Sequence, residues 1–259
     1  MASVLPQAGS RKPGAPRLSV NVNKVATIRN SRGGNVPSVL QAVDVCIEAG
    51  APGITVHPRA DERHIRAGDV RAIAGHLASR RDLVEFNLEG DPRPDFLALV
   101  LEVRPHQCTL VPVQAGEITS QAGWSPDSRS GALLRAIADL RAAGVRVSLF
   151  VDPEEEPIRW AAAAGAHRVE LYTEPFARAY EQGTHAGEAS LAVYAGAARL
   201  AASLGLGVNA GHDLDLANLA LFRALPHLDE VSIGHALVSH ALFVGLGQAV
   251  RDYLRALNP

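Results

Sequence analysis

Residues 145–172, VRVSLFVDPEEEPIRWAAAAGAHRVELY, carry the pattern that decides the fold. The run VRVSLFVD is rich in β-branched and apolar residues and predicts a strand. Asp152-Pro153-Glu154 then opens a helix, with a carboxylate in the N-cap place and proline in the first turn. HRVELY, residues 167–172, predicts the next strand. Strands this rich in Val, Ile and Leu suggest burial on both faces, as in a parallel sheet whose crossovers are helices.

The same alternation extends both ways. Upstream lie strands at 18–23, at GITVH (53–57), at DLVEFN (82–87) and at QCTLVP (107–112). Their helices are expected near 39–47, 67–78, 96–103 and 131–143, with residues 26–35, ATIRNSRGGN, as a polar loop. Downstream come LGVNAG (206–211) and EVSIGH (230–235), each followed by a helical stretch, the last ending near Leu257. Eight such units predict an α/β chain closed into a (β/α)8 barrel, the TIM-barrel architecture, for which about 250 residues are typical. A doubly wound open sheet is the competing layout, but no G-x-G-x-x-G follows the first strand. Residues 1–17, rich in Pro, Gly and Ser, are expected to form a mobile tail before a catalytic domain over 18–259. The loops after strands four and six exceed usual βα lengths, which suggests lids or binding elements.

Composition narrows the function. The 27 acids and 25 bases leave a formal net charge of -2 without blocks of like charge, so neither nucleic acid nor a membrane surface is an expected partner. Small molecules and further copies of the chain remain. Cys46 and Cys108 sit in apolar runs without C-x-x-C spacing, which fits a reducing cytoplasm rather than a disulfide framework. No stretch reaches the roughly 18 apolar residues of a membrane span.

In a (β/α)8 barrel the loops after the strands carry the chemistry, and His57, Arg59, Glu85, Glu170, His212 and His235 fall at those ends. The glycines around His212 and His235 place backbone N–H groups at helix starts after strands seven and eight, a habitual phosphate grip; either loop alone could be a tight turn, but the pair at these two positions favours phosphate. Arg59 offers a fork for phosphate or carboxylate, and His57 and His64 offer imidazoles that transfer protons near neutral pH. Glu85 and Glu170 interrupt apolar strands, where a carboxylate is either ion-paired or poised as a general base. A metal site is not expected, because neither H-x-H nor H-E-x-x-H occurs. The other histidines, at 76, 106, 167, 185, 227 and 240, read as solvated or packed.

In order along the chain stand NVNKVATIRNSRGG, GITVHPRADERHI, EFNLEG, TLVP with ITS, VELYTEPFA, VNAGHDL and SIGHALV. Together they make the chain resemble the pyridoxine 5'-phosphate synthase family from about residue 18 to 257. That resemblance implies condensation of 1-deoxy-D-xylulose 5-phosphate with 3-amino-2-oxopropyl phosphate, giving pyridoxine 5'-phosphate, phosphate and water without metal or organic cofactor. It implies His57 and Glu85 as proton acceptors, His212 as proton donor and Glu170 as a stabiliser of charged intermediates. Arg59, His64 and Thr119, with Asn23 and Lys24 beside them, would hold the deoxyxylulose phosphate. Asn21, Arg32, Asp213, Gly234 and His235 would hold the amino-ketone phosphate. Asn23-Lys24 stands where some members have Asp-His, and Asp213 where some have Gly. A homo-oligomer, an octamer built as a tetramer of dimers, is the implied assembly. Substitution of Glu85 by Gln is expected to leave folding intact and depress product formation. Another barrel acting on a single sugar phosphate would need one phosphate grip only, and a binding protein without turnover would not need this set of His and Glu residues.

Overall fold

The computed structural model describes residues 15–112, 122–124 and 131–259. Among them, eight parallel strands close into a barrel in sequence order. They are β1 (Arg17–Asn21), β2 (Gly53–Val56), β3 (Glu85–Gly90), β4 (Gln107–Leu110), β5 (Arg146–Val151), β6 (Arg168–Tyr172), β7 (Gly207–Gly211) and β8 (Leu228–Ile233). The expected barrel is therefore the observed one. β1 begins at Arg17, one residue inside the segment expected as tail.

The interior differs from the expectation of strands apolar on both faces. The strands alternate, with one irregularity where the pairing of β7 and β8 shifts past Asp229. Leu18 and Val20, Ile54 and Val56, Phe86 and Leu88, Val169 and Leu171 turn toward the helices and share one apolar core. Their neighbours fill the barrel with polar groups: Ser19, Thr55, Asn87, Gln107, Thr109, Ser148, Glu170, Asn209 and Glu230 are all buried. Buried polar groups are tolerable when they satisfy one another. Here Ser19 and Thr55 share a 2.6 Å hydrogen bond, and Thr109 donates to Asn87 at 3.1 Å. Asn209 reaches across the barrel to Gln107 Oε1 at 3.4 Å.

β3 runs three residues later than the sequence suggests, at Glu85–Gly90 rather than 82–87. Glu85 is thus its first residue, at the N-terminal mouth. Asp82 and Leu83 instead belong to the turn, where Leu83 N–H donates to the Arg80 carbonyl. The expected polar loop at 26–35 begins as a helix, Asn23–Asn30, whose Arg29 makes a buried two-armed ion pair with Asp69. Asp152 is not the cap of its helix. That helix is Glu155–Ala163, and the Asp152 carboxylate accepts from Gly123 N–H at 3.1 Å instead. The long segment after β6 forms the helix Glu174–Glu181 ahead of Thr184–Ser203. The final helical stretch breaks at Gly245 into His235–Val244 and Leu246–Leu257.

Two of the histidines expected to be solvated or packed gain a defined task. His106 and His167 each accept a strand N–H at Nδ1, from Phe86 and Val147, where β3 and β5 start. The free thiols of Cys46 and Cys108 are buried. Among the described residues no helix is long and apolar enough to cross a membrane.

Candidate active site

A cavity of about 920 Å³ opens where the strands end. Eleven of the residues singled out above line it. His57, Glu170 and His212 are there, as are Asn21, Asn23, Lys24, Arg59, His64, Asp213, Gly234 and His235. Thr119 lies outside the described residues. Arg32 is exposed beyond the end of the helix Asn23–Asn30 and is not part of the cavity wall. Within this chain it is therefore not positioned as a substrate contact.

Glu85 requires a correction. It stands at the opposite mouth, where Arg17 Nη1 donates to Oε2 at 3.0 Å and Arg146 Nη2 donates to Oε1. Burial pushes its carboxyl up, but Arg146 and then Arg17 outweigh burial and hold it below the usual carboxylate range. The ion-pair alternative is the observed state. The β3 carboxylate in the cavity is Glu89, four residues on along the same face. EFNLEG contains both, and period 2 puts Glu85, Asn87 and Glu89 on one side with Glu89 nearest the strand's C-terminal end.

Glu89 is fixed by two neighbouring strands, β1 and β8. Asn21 Nδ2 donates to Oε2 at 3.3 Å and Ser232 Oγ to Oε1 at 3.2 Å. Burial pushes its carboxyl up to about 7, with Ser232 only partly opposing. Near neutrality it can therefore both take and give a proton. Glu170 sits deeper. Its Oε2 is buried without a hydrogen-bond partner among the described residues, and burial, then the charges of Glu89 and Glu230, hold it well above the carboxylate range. Gly211 makes room for it, since a Cβ there would stand 2.6 Å from Glu170 Oε1.

His57 follows β2 and is anchored by its backbone, whose N–H donates to Asn23 Oδ1 at 2.9 Å. Asn23 N–H in turn donates to Asn21 Oδ1, so the end of β1 organises both His57 and Glu89. The Nε2 of His57 is buried without a partner among the described residues. Burial, reinforced by charge at His64 and Arg59, holds its imidazole well below the ordinary value and hence neutral. His64 accepts from Ile65 N–H at Nδ1, which leaves its Nε2 to carry the proton in the neutral ring. Burial and the positive charges of Arg59 and Lys24 lower it to about 4. That clustering of cations is what an anion would relieve.

His212 follows β7 and packs in a three-ring cluster with Phe150, at 5.0 Å, and Tyr172, at 5.4 Å edge-on. Burial lowers its imidazole too, against the opposing charges of Asp213 and Glu174. On the β8 side the helix His235–Val244 starts at the cavity, and Gly234 in its N-cap place makes no side-chain cap. Its first N–H groups are left for a ligand anion. Gly234 also lies against Asn21, whose Cβ would be 3.0 Å from an added methyl.

Ser232, Phe150 and the wall formed by Glu174 and Arg178 were not evident in the sequence. Among the described residues no group of His, Cys, Asp and Glu is arranged to hold a metal.

Fold and cavity together define a (β/α)8 barrel enzyme site, with proton-transfer groups inside and cationic and helix-start groups at its rim. Residues 18–259 match the family described as pyridoxal phosphate biosynthesis protein PdxJ, and the chain belongs to that family. It is 51% identical over 243 residues to pyridoxine 5'-phosphate synthase of Bacteroides fragilis, covering 93% of this chain and 99% of that protein. The enzyme of the same name from Xanthomonas oryzae is 52% identical over 250 residues, covering 93% and 96%. Among solved structures, thiamine phosphate pyrophosphorylase from Pyrococcus furiosus superposes with a TM-score of 0.56 at 14% identity, over 93% of this chain and 95% of that one. Phosphoribosylanthranilate isomerase from Thermotoga maritima gives 0.57 at 12%, over 93% and 98%. These last two share the fold alone.

Proposed function

We propose that this chain condenses 1-deoxy-D-xylulose 5-phosphate with 3-amino-2-oxopropyl phosphate to pyridoxine 5'-phosphate, releasing phosphate and water. The observation that carries this reading is one cavity lined by both anion-holding rims and four proton-transfer groups. Lys24, Arg59 and His64 form one rim, and the start of His235–Val244 forms the other. Two phosphorylated substrates need two such grips.

The chemistry is that of side-chain acids and bases alone. Imine formation, loss of phosphate and water, and ring closure each move protons, and a positioned acid or base accelerates such a step roughly 10²–10⁴-fold. Neutral His57, with its bare Nε2, is set to accept a proton. Glu89 replaces Glu85 as the second acceptor, since its carboxyl lies near neutrality and in the cavity. Glu170 holds its proton and can give it to a developing anion. A substrate dianion beside His212 would favour its imidazolium, the donor form.

The reading extends to assembly and compartment. A homo-oligomer, a tetramer of dimers, is supported by the family resemblance and by Leu242 and Phe243, which are 69% and 89% exposed at the end of His235–Val244. Sedimentation velocity on the purified chain tests it, and a monomer at micromolar concentration contradicts it. The reduced, buried Cys46 and Cys108 support a cytoplasmic location.

The direct test of function is incubation of the purified chain with both phosphates, following the pyridine product and inorganic phosphate. Product from the pair, and none from either substrate alone, is expected. Turnover of a single sugar phosphate would favour the one-grip alternative.

A further inference from the structure

His212 sits on backbone that resists its own conformation. His212 and Asp213 both have positive φ, +81° and +56°, and neither is glycine. Left-handed residues in succession are disfavoured for side chains with a Cβ and persist only where surrounding contacts over-determine them. Asn218 secures the second, its Nδ2 donating to the Asp213 carbonyl at 2.9 Å while the same side chain closes the capping box with Asp215.

Thr173 secures the first. Its hydroxyl donates to the Gly211 carbonyl at 2.6 Å and lies equally against the His212 carbonyl, while its own N–H also donates to Gly211. A threonine hydroxyl has one proton, here shared between two consecutive carbonyls. Thr173 occupies the N-cap place of the helix Glu174–Glu181, where threonine ordinarily accepts from the helix's free N–H groups, yet its side chain makes no such bond. The hydroxyl is committed to the end of β7 instead. Thr173 is fully buried and does not line the cavity.

We infer that Thr173 is a positioning residue for His212, holding the strained turn so that the imidazole stays packed against Phe150 and Tyr172 and faces the bound substrates. The inference rests on the reading of this cavity as the condensation site. Thr173 touches no substrate, so its loss should damage turnover rather than binding.

The test compares Thr173→Val, which keeps shape and loses the hydroxyl, with Thr173→Ser, which keeps the hydroxyl. Two readouts are needed: steady-state kinetics with both substrates, and NMR titration of the His212 ring in labelled protein. In Thr173→Val, kcat should fall on the order of 10²-fold, as for a misplacement of about 1 Å, with KM little changed. His212 should titrate closer to an ordinary imidazole as the ring leaves its aromatic contacts and gains water. Its titratable neighbours, Asp213 and Glu174 beside it and His57 across the cavity, are unaltered in both variants. Thr173→Ser should restore both readouts. Wild-type kcat per folded molecule with an unshifted His212 in Thr173→Val overturns the inference. Should Thr173→Val not fold, Thr173→Ala takes its place against Thr173→Ser, and equal behaviour of that pair overturns it. Absence of product from the wild type would sink the function reading, and the titration would still decide the role of Thr173.

Discussion

The two mouths of this barrel are built from the same residue types to opposite ends. At the N-terminal mouth, Glu85 lies between Arg17 and Arg146, and its charge is fully answered. At the C-terminal mouth, among the described residues, Glu89 meets only an amide and a hydroxyl, and Glu170 leaves one oxygen bare. Both regions are buried and polar. What separates them is pairing: an answered carboxylate is pinned in its charged form, whereas an unanswered one has its proton affinity raised into the range where catalysis operates. The contrast is sharpest on β3, where four residues divide a structural glutamate from a candidate catalytic one.

The widest gap should open between substitutions at these two glutamates. Glu89→Gln should fold and reduce kcat by about 10²–10⁴-fold, the span of one acid or base; a variant within a few-fold of wild type would remove Glu89 from the mechanism. Glu85→Gln reverses the expectation drawn from the sequence. It should keep turnover per folded molecule and lose about 3 kcal/mol of stability, the lower end for breaking a buried ion pair, because Arg17 and Arg146 are a quarter or more exposed. Thermal melting should report this as a fall of roughly 6–12 °C.

The pH dependence of stability should differ in sign between the same pair. The carboxyl of Glu85 is depressed in the folded state, so its stabilisation is present above the ordinary carboxylate value and fades as pH falls through the folded value. Melting curves of Glu85→Gln and wild type should therefore converge in acid. The carboxyl of Glu89 is raised from 4.5 to about 7, so its cost appears above the ordinary value and grows to about 3 kcal/mol by neutrality. Glu89→Gln should accordingly be more stable than wild type at pH 8 and equal to it near pH 4; a loss at pH 8 would contradict the assigned burial. The smallest effect concerns the turn after β7, where Asp213→Gly should be more stable than Asp213→Ala by about 1 kcal/mol, since only glycine adopts positive φ freely.

The order of strands and helices was legible because each crossover leaves its own apolar period, and the helix-facing residues keep it. The interior was not, because Ser19, Thr55, Asn87 and Thr109 look like ordinary interruptions until their alternation is followed round all the strands. The start of β3 was misplaced for a related reason: Leu83 and Val84 extend the apolar run upstream, although the pairing begins at Glu85 opposite Gly53. Eleven of the fourteen residues proposed for the site do meet in one cavity, since each lies in or just after a strand located to within a few residues. Arg32 fell outside because the helix ahead of it leads into an exposed turn, and Ser232 stayed hidden because a lone serine in a strand carries no signal of its own.

The most direct test of the account is a single comparison of product formation from the two phosphates by wild type, Glu89→Gln and Glu85→Gln, each normalised to folded protein. The account predicts pyridine product from the wild type and from Glu85→Gln, with Glu89→Gln nearly silent. A silent, well-folded Glu85→Gln beside an active Glu89→Gln would contradict it.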